Sequence, residues 1–137
     1  MIFREAGVDD VPHVELLLAE FYAKQGGVYG IPIDEQSTIQ TIVSTASNGI
    51  LLVGPTSCAG AIICPFPFNR QARVAQVIFW YFQLHREIRI FDELLIRCRA
   101  MGATHVNATS HPPHNRIARY YQRHGLKQVE TQLIGRL

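Results

Sequence analysis

Charge is scarce in this chain, and most of it cancels: 18% of the residues are charged, and thirteen Lys+Arg against eleven Asp+Glu leave a formal net charge of +2. That balance excludes the strong basic footprint of a dedicated nucleic-acid binder, so nucleic acid is not an expected partner. Lysine itself is nearly missing. Only Lys24 and Lys127 are lysines and the other basic residues are arginine, a bias that suits phosphate or carboxylate contacts. Cysteine is limited to Cys58, Cys64 and Cys98, an odd number with no Cys-x-x-Cys pair. With no basic-then-apolar signal segment ahead of the first folded-looking residues, these three read as small buried hydrophobes in a reducing, cytoplasmic setting. No low-complexity linker divides the chain. The apolar residues, 47% of the total, are too many for a disordered tail and too evenly spread for a membrane span, so no membrane partner is expected. A length of 137 residues fits one domain, 1–137, with one core and no separate lid or cofactor domain.

The periodicity supplies the elements. Ile2 to Ala6 reads as a short strand, and Asp9, Asp10 and Pro12 open a helix in which Val11, Val14, Leu18 and Phe21 repeat at helical spacing. Gly26, Gly27, Gly30 and Pro32 form a loop around Tyr29. Asp34 then caps a second helix carrying Ile39, Ile42 and Val43, which ends at Ser47-Asn48-Gly49. Ile50–Val53, Ala59–Cys64 and Val74–Phe82 read as an antiparallel meander. The last of these, rich in aromatics and apolar on both faces, is expected in the middle of the sheet. Ile88, Phe91, Leu95 and Cys98 mark a helix that Met101-Gly102 closes before a strand around His105–Thr109, so a parallel crossover follows. Ser110, Pro112 and Pro113 start a last helix running to Gly125, and Val129–Leu137 reads as a final strand.

Two stretches within this order carry a family likeness. Ala118-Arg119-Tyr120-Tyr121-Gln122-Arg123-His124-Gly125-Leu126 resembles the end of the last helix in the GNAT acyltransferase superfamily, whose members use acetyl-coenzyme A. Ala75–Phe82, followed by Arg86 and by Leu94-Leu95, is similar to that family's central strand and the helix after it. The Trp80-Tyr81 pair and Glu130-Thr131 also resemble small acyltransferase-like proteins of bacteriophages. The resemblance spans essentially the whole chain. It implies a single α/β domain of the GNAT type, with a mixed central sheet of about six strands and helices on both faces.

The resemblance also implies an N-acetyltransferase that moves an acetyl group from acetyl-CoA to an amine. Such a reaction needs the leaving thiolate protonated, and a phenol, with a reference pKa of ~10 against about 8.5 for a thiol, can donate that proton. The family's donor is the Tyr four residues before the closing Gly, which falls on Tyr121; packing within the helix is the alternative role for Tyr120 and Tyr121. The family binds the coenzyme along the central strand and the following helix start, here Trp80, Tyr81, Phe82, Arg86, Glu87, Ile88, Arg89, Ile90 and Phe91, and the pantetheine arm would add as an extra strand where the sheet splays. The family's phosphate turn puts small residues where this chain has Arg89 and Phe91, and a side chain there blocks close approach of phosphate to the backbone. Glu87 brings an unfavourable charge, while Arg86 and Arg89 could replace the lost contacts.

The central strand carries no acid that would act as a base, and Glu20, Asp34, Glu35 and Glu130 read as surface carboxylates. A chain that keeps the fold without the reaction, serving as a binding or assembly module, is the alternative. His111, His114 and His105 lack a partner at zinc spacing, so no metal is expected. Arg116, Arg119 and Arg123 form one basic stripe that could meet a coenzyme 3′-phosphate or nucleic acid, or stand as a plain solvated face. The acceptor, a small-molecule or peptide amine, is expected to be shaped by loops such as Gly26–Pro32. The apolar tail at Leu133, Ile134 and Leu137 could pair two copies as a homodimer.

Overall fold

The computed structural model describes residues 2–25, 29–110, 115–130 and 133–137. Its contacts group them into two compact units, 1–107 and 108–137. The first unit holds a five-stranded sheet in the order β1-β2-β3-β4-β5, from strands Arg4–Glu5, Ile50–Gly54, Ser57–Phe66, Asn69–Phe82 and His105–Asn107. The first four strands pair antiparallel and β5 joins β4 in parallel. Helices α1 (Val11–Gln25), α2 (Glu35–Asn48) and α3 (Ile90–Ala100) belong to this unit. Helix α4 (Asn115–Arg123) lies in the second.

Local chemistry accounts for the helix starts. Asp34 caps α2, its Oδ1 accepting from the Ser37 amide at 2.7 Å, which satisfies one of the first-turn donors that no helical carbonyl can reach. A 3₁₀ turn at Val8–Asp10 leads into α1, where the Asp10 carboxylate takes the Gly7 amide at 2.7 Å and two hydrogen bonds from the Arg4 guanidinium at 2.8 and 2.7 Å. Held by that guanidinium first and by the Gly7 amide second, Asp10 titrates at about 2.

The sheet buries one cluster on each face. Val14, Leu17 and Leu18 of α1 and Ile42 of α2 pack with Leu51, Val53, Cys58 and Phe79. Ile90, Leu94 and Cys98 of α3 pack with Phe3, Ile50, Leu52, Ala59, Ala61 and Ala75. Small residues in the first half of β3 let helices approach closely from both sides.

Two sequence expectations are corrected here. The middle strand is β3, not the aromatic β4: the small Cys58-Ala59-Gly60-Ala61 run is wholly buried, whereas β4 is buried fully only at Ala75 and Phe79 and is flanked on one side by the three-residue β5. The sheet has five strands among the described residues, not about six. No strand forms at 129–130 or 133–137, because Val129, Leu133, Ile134 and Leu137 remain exposed and burial does not offset the entropy of ordering an extended segment. No described helix is long and apolar enough to cross a membrane.

Candidate functional site

Strand β4 is where the sheet changes character. Its last pairs with β5 are Val74–His105, Ala75–Val106 and Gln76–Asn107, after which β4 runs on from Val77 to Phe82 paired only with β3 in this unit. A β-bulge interrupts that remaining ladder: Gly60 faces Phe79 and Ala61 faces Val77, so Ile78 is the extra residue. Bulges bend a strand and leave a residue without a ladder partner, and they concentrate beside active sites. The sequence offers no signal for this one, since Ile78 sits in an unbroken apolar run.

Side chains at the end of β4 alternate between the faces, as the pleat requires. Trp80 is half-buried against the α3 cluster, its ring 5.6 Å from that of Phe82 and 4.9 Å from that of Phe91. Tyr81 faces α1, with its ring 5.6 Å from Phe21 and its hydroxyl accepting from Lys24 Nζ at 2.8 Å. Glu20 completes this polar group, receiving Gln83 Nε2 and standing 3.5 Å from Lys24 Nζ. The hydrogen bond from Gln83, then the charge of Lys24, hold the Glu20 carboxyl below its ordinary pKa. Phe82 meets the His85 ring at 6.4 Å.

The segment after β4 is a 3₁₀ helix, His85–Arg89, running into α3. Three residues per turn place Glu87 and Ile90 on one side and Arg86 and Arg89 on another. Glu87 and Ile90 are both 0% exposed, while Arg86 and Arg89 face solvent and Ile88 is half-buried. The Glu87 carboxylate turns inward to the link between β2 and β3, accepting from the Thr56 amide at 3.0 Å, from the Thr56 hydroxyl, and from Ser57 Oγ at 2.7 Å. Burial alone would raise its pKa, but those three donors outweigh burial and hold it below the ordinary value. Gly54 belongs to the same lock: a Cβ there would stand 2.4 Å from Ser57 Oγ and 2.7 Å from Glu87 Oε1. Phe91 is also fully buried, so within residues 86–91 the exposed side chains are Arg86 and Arg89. Asp92 and Glu93 add negative charge in the first turn of α3, and Glu93 accepts from Arg97 at 3.4 Å.

In the second unit, Tyr121 is buried on α4 and its hydroxyl donates to the Thr109 carbonyl at 2.8 Å. A carbonyl cannot donate, so the phenol holds its proton in this arrangement. The helix closes at Gly125, whose φ of +84° a side chain would strain, with the Leu126 amide returning to the Tyr121 carbonyl at 3.1 Å. Arg116, Arg119 and Arg123 are exposed along α4.

An open cleft of about 290 Å³ lies elsewhere in the first unit, lined by Ile2, Arg4, Asp10, His13 and the Val53–Pro55 segment, and none of the residues expected for the site reaches it. Among the described residues no group of three His, Cys, Asp or Glu side chains could hold a metal ion, and His111 and His114 lie outside those residues. Residues 26–28 of the expected acceptor loop lie outside them as well. Burial raises the thiol of Cys58 to about 12 and that of Cys98 to about 11, and all three cysteines are unpaired.

Solved structures share this architecture over nearly the full chain. A transcriptional regulator from Bacillus halodurans matches with a TM-score of 0.75 at 15% identity, covering 98% of each chain. A candidate acetyltransferase from Agrobacterium tumefaciens matches with a TM-score of 0.72 at 15% identity, covering 100% of each. A predicted acetyltransferase from Clostridium acetobutylicum, solved with acetyl-CoA, matches with a TM-score of 0.71 at 12% identity, covering 98% of this chain and 94% of that one. The chain has the GNAT acetyltransferase fold. At these identities the likeness concerns the fold, and no family model or curated protein matches by sequence.

Proposed function

We propose that this chain is an acetyl-coenzyme A-dependent N-acetyltransferase acting as one domain on a small-molecule or peptide amine in the cytoplasm. The observation that carries the reading is strand β4, which outruns β5 from Val77 onward and bulges at Ile78 in a fold that it shares with acetyltransferases. The stretch of β4 beyond its last pair with β5 suits the amides of a pantetheine arm, which would add as an extra strand through backbone hydrogen bonds that do not depend on side-chain identity. A backbone amide released by the bulge is the natural donor for the oxyanion of the tetrahedral intermediate. Tyr121 is the general acid: rotation about its C–O bond turns the proton from the Thr109 carbonyl toward a leaving thiolate. The unpaired thiols fit a reducing compartment.

Titration calorimetry with acetyl-CoA tests the reading. Binding is expected, and no detectable heat at millimolar ligand would sink it. With binding established, Tyr121→Phe should lower kcat far more than it weakens affinity, and an unchanged rate would remove Tyr121 from the mechanism.

The second reading, a GNAT-shaped binding or assembly module, draws on the start of α3. There a full set of side chains replaces the family's small residues, and Asp92 and Glu93 follow in the first turn. It predicts no turnover with any amine and no coenzyme binding in the same titration.

A further inference from the structure

The hairpin of β3 and β4 outgrows the rest of the sheet. Pairing of β2 with β3 begins at Ile50–Ala61 and that of β5 with β4 at His105–Val74, so beyond those pairs the two strands run on beside each other alone. Thr104 ties the base of this arm, its amide donating to the Arg73 carbonyl at 2.9 Å. The four steps from Ile62 to Phe66 carry the arm about 13 Å outward. At its end Pro67 and Phe68 turn the chain between the paired Phe66 and Asn69, and the Gln71 amide donates to Asn69 Oδ1 at 3.2 Å. Phe68 is 90% exposed and Phe66 42%, with their rings 5.8 Å apart. Behind the rings Arg70 and Arg73 are exposed, and neither forms an ion pair with a described residue. Arg99 and Met101, exposed where α3 ends ahead of β5, stand at the same end of the sheet. No Asp or Glu occurs in the sequence between Glu35 and Glu87, so the arm carries no charge to neutralise its arginines.

We propose that this tip is a wedge for an anionic lipid bilayer: Phe66 and Phe68 enter the boundary between headgroups and acyl chains, and Arg70, Arg73 and Arg99 meet the negative headgroups. The shape favours a bilayer over a protein. A stable protein contact buries about 1,200 Å² or more in a complementary surface, whereas two phenylalanines on a projecting turn supply at most about 500 Å². A bilayer needs no preformed complement. Two copies meeting through this tip would bring like charges together, with no carboxylate on either arm. The backbone is suited to leaving water as well, because Pro65 and Pro67 have no N–H to desolvate and the Gln71 amide already has an acceptor. Apolar insertion and cationic attraction are each weak alone, and reversible membrane attachment takes both. That no described helix can cross a membrane concerns a span and not a wedge of four residues. The inference does not depend on the acetyl-coenzyme A reading: β4 runs from the arm to Phe82, so docking by the tip leaves the stretch beyond the last pair with β5 at the far end of the strand.

Flotation of the intact chain with two kinds of vesicle tests the wedge, one of phosphatidylcholine alone and one of phosphatidylcholine mixed with phosphatidylserine. The wild type should bind the mixed vesicles more tightly, and added salt should weaken that binding. Phe66→Ser and Phe68→Ser should each lower the partition coefficient roughly five- to tenfold. Arg70→Gln and Arg73→Gln should each lower it about fivefold on the mixed vesicles and leave phosphatidylcholine unaffected. Phe68→Trp should keep the binding and shift its emission to the blue when vesicles are added, beyond any shift that Trp80 shows in the wild type. Phe68 is almost wholly exposed, so its variants should keep the urea midpoint of the wild type; if Phe66→Ser lowers that midpoint, the Phe68 variants decide alone. A wild type that ignores the mixed vesicles would overturn the proposal. So would a Phe68→Ser variant that binds them as the wild type does, or a Phe68→Trp variant that binds without a shift. Self-association in the absence of lipid that Phe68→Ser abolishes, with no vesicle binding by the wild type, would assign the tip to a contact between copies and overturn the wedge.

Discussion

Two carboxylates stand near the end of β4, and they do opposite things with the same chemistry. Glu87 is wholly buried and takes three hydrogen bonds from the β2–β3 link, thirty and thirty-one residues away in sequence. Glu20 lies at the surface of α1 and takes its contacts from Gln83, Lys24 and Tyr81. Both are held in the ionised form. What separates them is what their loss would leave behind: buried donors with no partner at Glu87, and groups that water can reach at Glu20. The comparison teaches that a hydrogen-bonded carboxylate fixes structure in proportion to the burial of its donors.

Glu87→Ala should therefore be the most damaging change. It leaves the Thr56 amide, the Thr56 hydroxyl and the Ser57 hydroxyl without their acceptor and should cost on the order of 3 kcal/mol in urea unfolding. Glu87→Gln keeps one carbonyl acceptor and should cost about half as much. A loss below about 1 kcal/mol for the alanine variant would break the comparison, since buried donors would then have found other partners. Gly54→Ala attacks the same lock from the backbone side. Its Cβ would meet Ser57 Oγ at 2.4 Å, Glu87 Oε1 at 2.7 Å and Phe3 Cδ1 at 2.9 Å, and the crowding should cost about 1–3 kcal/mol.

Acid titration sharpens the contrast. For a carboxyl whose folded pKa lies below its unfolded value, the unfolded chain binds the extra proton, so the stabilisation is complete above the unfolded pKa and is lost as pH falls through the folded one. Glu87 should thus support stability above an ordinary Glu pKa of about 4.3 and lose that support below it. Stability measured between neutral pH and pH 3 should fall less steeply in Glu87→Gln than in the wild type. Asp10, at about 2, keeps part of the slope in both proteins. Identical slopes would show that the lock does not lower the Glu87 pKa.

Much of the fold was legible because its signals are local. The Asp34 cap, the Gly49 stop of α2, the helical stripe of Val14 and Leu18, and the crossover from β4 through α3 to β5 all rest on residues close together in the chain. The candidate site was legible only in part. Glu87 read as an adverse charge at the phosphate turn, and the partners that take it inward, Thr56 and Ser57, stand thirty or more residues away, where no local pattern announces them. The Ile78 bulge was invisible for a related reason, since a register shift depends on Gly60 and Ala61 across the ladder. The final strand misled in the other direction: the apolar residues at 129, 133, 134 and 137 suggested a strand, but strand formation needs a partner edge as well as a pattern, and those residues are exposed.

The smallest expected effect is the one that isolates burial as the cause. Glu20→Gln removes a charge 3.5 Å from Lys24 but keeps a side chain that can still meet Gln83 and Tyr81, and every group it leaves is open to water. An exposed ion pair gains little in high dielectric and is screened by salt. The urea midpoint of Glu20→Gln should accordingly sit close to that of the wild type at moderate salt, with whatever difference exists at low salt fading as salt is added. Its acid titration should run parallel to the wild type where that of Glu87→Gln flattens. If Glu20→Gln destabilises the protein as much as Glu87→Gln does, burial is not what distinguishes the two carboxylates, and the Lys24–Tyr81 group would have to be regarded as a second lock on the end of β4.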